Sequence, residues 1–282
     1  MKAEIQRPAP IYHKKNKRHK GILDPIRAAT CFQLTRYLPS PELARFVEHH
    51  WTIHWDLRGQ LPYTFGFMPH SSVNFSITMN RAWIIGATSG VYEYEMKDTG
   101  SSVGVIFKPG GFYSFWKKNI SVITDKEIEA AEVFPEMDAV FRHSLLDLKN
   151  DETMVAAVEN LLLSREPCAD QSQELITLIF EAIKTDNNLC TVNEIAERFS
   201  VSERTLQFLF NKYVGIGLKS MLARNRLMNA VELAAQIEEP NWANVAAELG
   251  YSHQSHFVND FKKIVGKTPE QYARYIRDNG MN

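Results

Sequence analysis

The feature that most restricts this chain is a local pattern that occurs twice between residues 191 and 272. The first copy ends Phe210-Asn-Lys-Tyr-Val-Gly215 and the second Phe261-Lys-Lys-Ile-Val-Gly266. At one common offset Ala196 pairs with Ala247, Leu206 with Phe257 and Val214 with Val265. Each copy predicts a short apolar helix, a tight turn and a second helix. In the first, Ile195, Ala196 and Phe199 recur at helical spacing, and Ser200-Val201-Ser202 breaks the helix, with Ser202 a suitable N-cap for the next. Leu206, Leu209 and Phe210 then supply a stripe to bury. In the second, Val245, Ala246 and Leu249 form the stripe, and Gly250 tolerates the positive φ of a helix C-terminus. Ser252 or His253 starts the next helix, whose core face is Phe257, Phe261 and Ile264.

Two helix-turn-helix units are far more specific than one when a single long helix joins them. Leu218 to Gln236 reads as that helix, with Leu218, Met221, Leu222, Met228, Val231 and Ala235 mainly on one side. At about 1.5 Å per residue it spans roughly 28 Å. Successive major-groove faces of B-DNA lie about 34 Å apart. Residues 191–272 resemble the DNA-binding domain of AraC/XylS-type transcription regulators. The matching positions include Ile195-Ala196, Ser202, Leu206, Phe210, Gly215, Arg226-Leu227, Ala230, Ala246, Gly250-Tyr251, Phe257, Phe261-Lys262, Gly266, Thr268-Pro269 and Tyr272. The resemblance implies a DNA-binding domain over residues 171–282, with helix-turn-helix units at 191–215 and 241–266.

In such a unit the second helix enters the major groove and presents its first turns to the bases. The exposed candidates in the first copy are Glu203, Arg204, Thr205, Gln207, Phe208, Asn211 and Lys212. In the second they are His253, Gln254, Ser255, Val258, Asn259, Lys262 and Lys263. Gln207 and Asn259 suit an adenine edge, and Arg204 a guanine edge or a phosphate. Lysines 212, 262, 263 and 267 are placed as phosphate clamps, which position but do not specify. Both helices depart from the family, which commonly carries Arg where this chain has Phe208 and Asn259. Two readings of Phe208 stand: packing on thymine methyls, or facing the linker helix as core. Arg226 is expected to make a structural salt bridge.

The formal net charge is −1, and residues 187–282 hold eleven Lys and Arg against ten Asp and Glu. DNA binding must therefore rest on where cations sit rather than on bulk charge. Cys31, Cys168 and Cys190 are dispersed, which suits a reducing cytosol and offers neither a metal cluster nor a disulfide framework. The polar N-terminus is not a secretory signal, and no apolar run reaches the ~18–20 residues of a membrane span. Residues 1–21 read as a disordered basic arm with Lys14, Lys15, Lys17, Arg18 and Lys20, either a solvated tail or a phosphate contact.

Residues 22–165 form the other expected domain, making the whole an α+β chain. Glu42 to His50 reads as a short helix with Leu43, Phe46 and Val47 inward. Trp51, Ile53 and Trp55 alternate with Thr52 and His54 as in a strand. Further strands are expected at Tyr63–Phe67, Val73–Ile77, Ala82–Ile85, Val91–Tyr94 and Val103–Phe107, which suggests a barrel or sandwich. Lys108-Pro109-Gly110-Gly111 is a sharp turn, and the aromatics Phe112, Tyr113, Phe115 and Trp116 after it are a core wall or a ligand cage. Histidines 49, 50, 54 and 70 lack the spacing of a metal site. Thr124 reads as a helix cap with Asp125 and Glu127 in the first turn. Glu136 to Leu148 and Asp151 to Leu163 follow as helices. The stripe Val155, Val158, Leu161, Leu162 is either a dimer seam or packs on its own sheet. Ser164 to Gln173 is the linker, and Glu174 to Lys184 the first helix of the DNA-binding domain.

This domain resembles, more loosely, the N-terminal domain of one branch of AraC-type regulators, through Pro39 to Trp51, Pro69 before Val73, and Val103 to Gly111. His70 stands where that branch usually has an acid. The resemblances together imply a cytoplasmic bacterial regulator, commonly an activator, that binds double-stranded promoter DNA without a cofactor. RNA polymerase is then a partner, and the N-terminal domain senses a small effector, mediates homodimerisation, or serves only as a protein-interaction module. A repair alkyl transferase fused to such a domain would need a reactive cysteine and a zinc cluster, which the cysteines do not supply, so no enzyme is expected.

Overall fold

The computed structural model describes residues 21–148, 150–186, 189, 191–236 and 240–279. The expected basic arm before Gly21 and Cys190 lie outside the described residues, as does the side chain of Ala235. The N-terminal half is built on a six-stranded antiparallel sheet in the order β1-β2-β7-β4-β5-β8. Its strands are β1 (Phe32–Tyr37), β2 (Val47–Asp56), β4 (Asn74–Thr78), β5 (Ala82–Ile85), β7 (Thr99–Phe107) and β8 (Glu127–Glu129). A separate ribbon pairs β3 (Tyr63–Phe67) with β6 (Tyr92–Met96). The sheets are open rather than closed into a barrel, and with the helical C-terminal half they make an α+β chain.

Strand alternation sends neighbouring side chains to opposite faces, and here each face has a different partner. Trp51, Ile53 and Trp55 of β2 face the ribbon, where Trp51 and Ile53 join Tyr63, Phe65 and Met96 in one apolar cluster. The indole of Trp51 lies over Gly104 of β7, where a Cβ would come within 2.3 Å of the ring. On the other face Val103, Val105 and Phe107 pack with Phe75, Ile77 and the helices α3 (Ala139–Leu146) and α4 (Asp151–Leu163). His50, Thr52 and His54 share that face and meet two carboxylates of α4. His50 Nε2 lies 3.0 Å from Glu159. Asp151 lies 2.7 Å from His54 and accepts hydrogen bonds from Thr52 and Tyr37. These histidines fasten a helix to the sheet.

Two expectations need correction here, and one open choice is decided. Residues 41–46 are turns and not a helix, because Ser40 and Leu43 carbonyls close tight local bonds and β2 already begins at Val47. Leu43, Phe46 and Val47 are nonetheless buried. Thr124 caps no α-helix. It ends a 3-10 turn at Ile120–Ile123, and Glu127–Glu129 continue as β8 against β5. The stripe Val155, Val158, Leu161 and Leu162 is buried within its own domain, so it is not a free dimer seam.

The helical half begins with α5 (Gln171–Thr185), N-capped by Asp170 in a capping box with Gln173. Then follow α6 (Val192–Phe199), α7 (Glu203–Tyr213), α8 (Leu218–Gln236), α9 (Trp242–Glu248), α10 (Gln254–Val265) and α11 (Pro269–Asp278). They enclose two cores. One gathers Ile195, Leu206, Phe210 and Met221, the other Leu227, Phe257, Phe261 and Tyr272. A short helix α2 (Tyr113–Trp116) of the first half lies against the former. Among the described residues no helix is long and apolar enough to cross a membrane, and no group of three His, Cys, Asp or Glu could hold a metal ion.

Candidate nucleic-acid interface

The first helix pair is fixed by its ends. Thr191 and Glu194 cap α6 reciprocally. Ser200 ends it in the left-handed region at φ 52°, and Val201 N–H returns to the Ala196 carbonyl at 3.0 Å. Ser202 then accepts from Thr205 N–H and starts α7. The second pair repeats this with one change. Gly250 takes the left-handed position at φ 76°, and Tyr251 N–H returns to Ala246 at 2.9 Å. Ala246, and not Ala247, is thus the structural counterpart of Ala196. The second turn carries one extra residue, so the pairing Leu206 with Phe257 holds only after it. His253 occupies the N-cap position of α10 without a side-chain cap bond.

Burial orients each second helix. Leu206, Leu209, Phe210 and Tyr213 face the core, which leaves Arg204, Thr205, Gln207 and Phe208 exposed. Phe208 is 62% exposed and so is not core. Asn211 and Lys212 are half-buried at the far end of α7. The Lys212 ammonium lies 5.3 Å from the Tyr113 ring and 5.0 Å from that of Tyr213, and contact with Tyr113 raises its pKa. The Thr205 hydroxyl is 2.8 Å from that of Ser202, within the cap. In α10, Phe257, Phe261 and Val265 are buried, while His253, Gln254, Ser255, Asn259, Lys262 and Lys263 are exposed and Val258 is half-buried. Lys267 is exposed and sits over the Tyr275 ring.

His256 is an exposed position the sequence reading passed over, its ring 5.6 Å from that of His253. The signal was present. The register that pairs Leu206 with Phe257 pairs Thr205 with His256.

The linker helix α8 departs from expectation. Its buried residues do not form one stripe. Leu218, Met221 and Leu222 join the first core, and Leu227 and Ala230 the second. Met228 and Val231 are only half-buried. The helix therefore lends one face to each unit, with residues 223–226 between. Arg226 is structural but acts on carbonyls and not on a carboxylate. Its Nη1 donates to Leu249 and Gly250 oxygens at 3.4 Å, steadying the end of α9, and its guanidinium lies 5.6 Å from the Tyr251 ring.

The aromatic run after the Gly110-Gly111 turn is mostly wall. Phe112 and Phe115 are in the core, and Tyr113 meets Tyr213 with ring centroids 4.3 Å apart. A crevice of about 270 Å³ lies between that turn and α5, lined by Arg45, Phe46, Gly111, Gln173 and Thr177 among others. Arg45 and Glu174 pair across its lining at 3.2 Å.

Residues 195–275 match the family model of a helix-turn-helix domain, and residues 35–129 that of a domain of unknown function, DUF6597. Regulatory protein PocR of Salmonella typhimurium is 31% identical over 90 residues, 31% of this chain and 29% of that protein. The F1 operon positive regulatory protein of Yersinia pestis is 35% identical over 71 residues, 25% of this chain and 23% of that protein. The chain thus spans under a third of the length of these two relatives. Among solved structures, ToxT from Vibrio cholerae covers 88% of this chain and 98% of its own, at 11% identity and TM-score 0.40.

Proposed function

We propose, from the premise that residues 195–275 are an AraC-type helix-turn-helix domain of a transcription regulator, that the chain activates transcription from promoters carrying two adjacent half-sites. The observation that carries this is the pair of helices α7 and α10. Each buries one face in its own core and exposes the other, and α8 links them at a span of roughly 28 Å. DNA binding belongs to residues 171–282 and control to residues 22–165. Arg204, Gln207 and Phe208 meet bases in one major-groove segment. Ser255 and Asn259 meet bases in the next. Lys262 and Lys263, with no apolar duty, hold phosphates. Thr205 and Lys212 contribute less, since one is engaged in a cap and the other lies over tyrosine rings.

The N-terminal half acts on this unit through direct contact, and RNA polymerase is the downstream partner. A small effector would enter the crevice beside Gly111, where Arg45 supplies a charge and Phe46 an apolar wall. Its volume lies just below the usual range for ligand sites, roughly 300–1,000 Å³. Selection of bound duplexes from a random pool, followed by mobility shifts at stated salt, tests the DNA-binding reading. Recovery of a bipartite consensus supports it, and recovery of no consensus at low or physiological salt refutes it.

A further inference from the structure

The two helix-turn-helix units are joined twice. One connection is α8, whose middle residues 223–226 are buried in neither core. The other runs through the N-terminal half. On the first unit, Thr124 donates to the Gly215 carbonyl at 2.6 Å, just past the end of α7. Ile120 is packed there so closely that a Cβ on Gly215 would lie 3.2 Å from its methyl. On the second unit, Tyr275 of α11 donates to Asp24 at 2.6 Å, and Met68 is buried in the core that holds Leu227, Phe257 and Phe261. Between the two, Arg224 in the middle of α8 donates to the His70 carbonyl at 3.1 Å.

These anchors belong to one folded body. Ile120 is part of the main core beneath the six-stranded sheet. Asp24 caps α1 (Pro25–Cys31), whose Ala28 is buried beside Phe32 and Trp51. Unit, linker, unit and β-domain therefore close a ring. In a closed ring of packed bodies, α8 cannot bend or twist without breaking an anchor.

We propose that the β-domain is a splint that fixes the separation and phase of α7 and α10, so that Thr124, Arg224 and Tyr275 determine which half-site spacing the protein accepts. This rests on the DNA-binding reading above. None of the three need touch DNA. They act by removing the freedom with which the second unit would follow a displaced half-site. One inserted base pair moves that half-site by about 3.4 Å and turns it by roughly 35°, which a rigid pair of helices cannot follow.

The test uses the full chain and the site that wild type selects from random duplexes. Dissociation constants are measured for that site and for versions with one base pair added or removed between the half-sites. Two variants are compared with wild type. The first combines Thr124→Val, Arg224→Met and Tyr275→Phe, which removes the three polar anchors. The second is Met68→Glu, which puts a charge into the apolar anchor. Circular dichroism checks that both keep their helix content. Wild type is expected to lose about tenfold in affinity per base pair of misspacing, and the variants less than about threefold, with only modest loss at the native spacing. A full wild-type spacing penalty in both variants overturns the splint. Equal, small penalties in wild type and variants overturn it too. Failure of wild type to select any site is a different result, and it overturns the DNA-binding reading itself.

Discussion

Replacing Phe208 with Ala separates a base-reading side chain from a packing one. Full burial of a Phe side chain is worth about 1.5–3 kcal/mol. Phe208 is 62% exposed in the free protein. Only the remaining third or so of that energy, roughly 0.5–1 kcal/mol, belongs to folding. The larger share, roughly 1–2 kcal/mol, becomes available when α7 enters the groove and the ring is covered by thymine methyls. Phe208→Ala should thus weaken binding roughly 5- to 30-fold while moving the melting midpoint only slightly. The assay is fluorescence anisotropy on the selected site beside thermal unfolding of both proteins. The loss should shrink when the facing thymines are replaced by uracil, which lacks the methyl. A protein that melts much earlier yet binds as tightly as wild type would show that Phe208 packs within the protein in solution, and the argument from its exposure would fail.

Asn259→Ala should cost roughly 1–3 kcal/mol and relax preference at one A·T pair, whereas Lys262→Ala should weaken all sequences alike and reduce the salt slope by about 0.9. A panel of single-base-changed sites at two salt concentrations distinguishes them, and uniform loss for Asn259→Ala would reassign it. A fragment of residues 171–282 should fold and bind DNA, but one starting at 169 should be about 1 kcal/mol more stable, because Asp170 caps α5 and accepts from Tyr213. Equal melting of the two fragments would contradict that. The Asp151 carboxyl is pushed up by burial, but hydrogen bonds from Thr52, His54 and Tyr37 and the charge of His54 outweigh this and hold its pKa below the ordinary 3.8. A carboxyl lowered by folding stabilises the fold above its unfolded pKa, and that stability is lost as pH falls through the folded one. Acid unfolding should therefore be steeper in wild type than in Asp151→Asn below about pH 4, and identical acid limbs would refute the assignment.

Much of this fold is legible where a pattern is local. Alternation places β3 at Tyr63–Phe67, an apolar run of strand formers places β5 at Ala82–Ile85, and helical spacing places α4 at Asp151–Leu163. Exposure along α7 and α10 follows from the same logic, because one buried stripe leaves the opposite face free. What fails is decided by partners distant in sequence. Leu43, Phe46 and Val47 have helical spacing, yet Val47 is drawn into pairing with Phe107, and the segment before it becomes turns. Thr124 looks like a helix cap, yet its hydroxyl is taken by Gly215, 91 residues on. The extra residue in the second turn is invisible to one fixed offset, since Ala246 and Ala247 are the same residue type. Nothing in the sequence marks Met68 as a member of the second unit's core or Arg224 as a partner of His70.

In the proposed function α7 and α10 read successive major-groove segments together. Hydroxyl-radical footprinting of the full chain on its selected site tests it most directly. Two protected patches on one face of the duplex, centred about 10 base pairs apart, are predicted. A single patch, or two patches on opposite faces, would contradict the account.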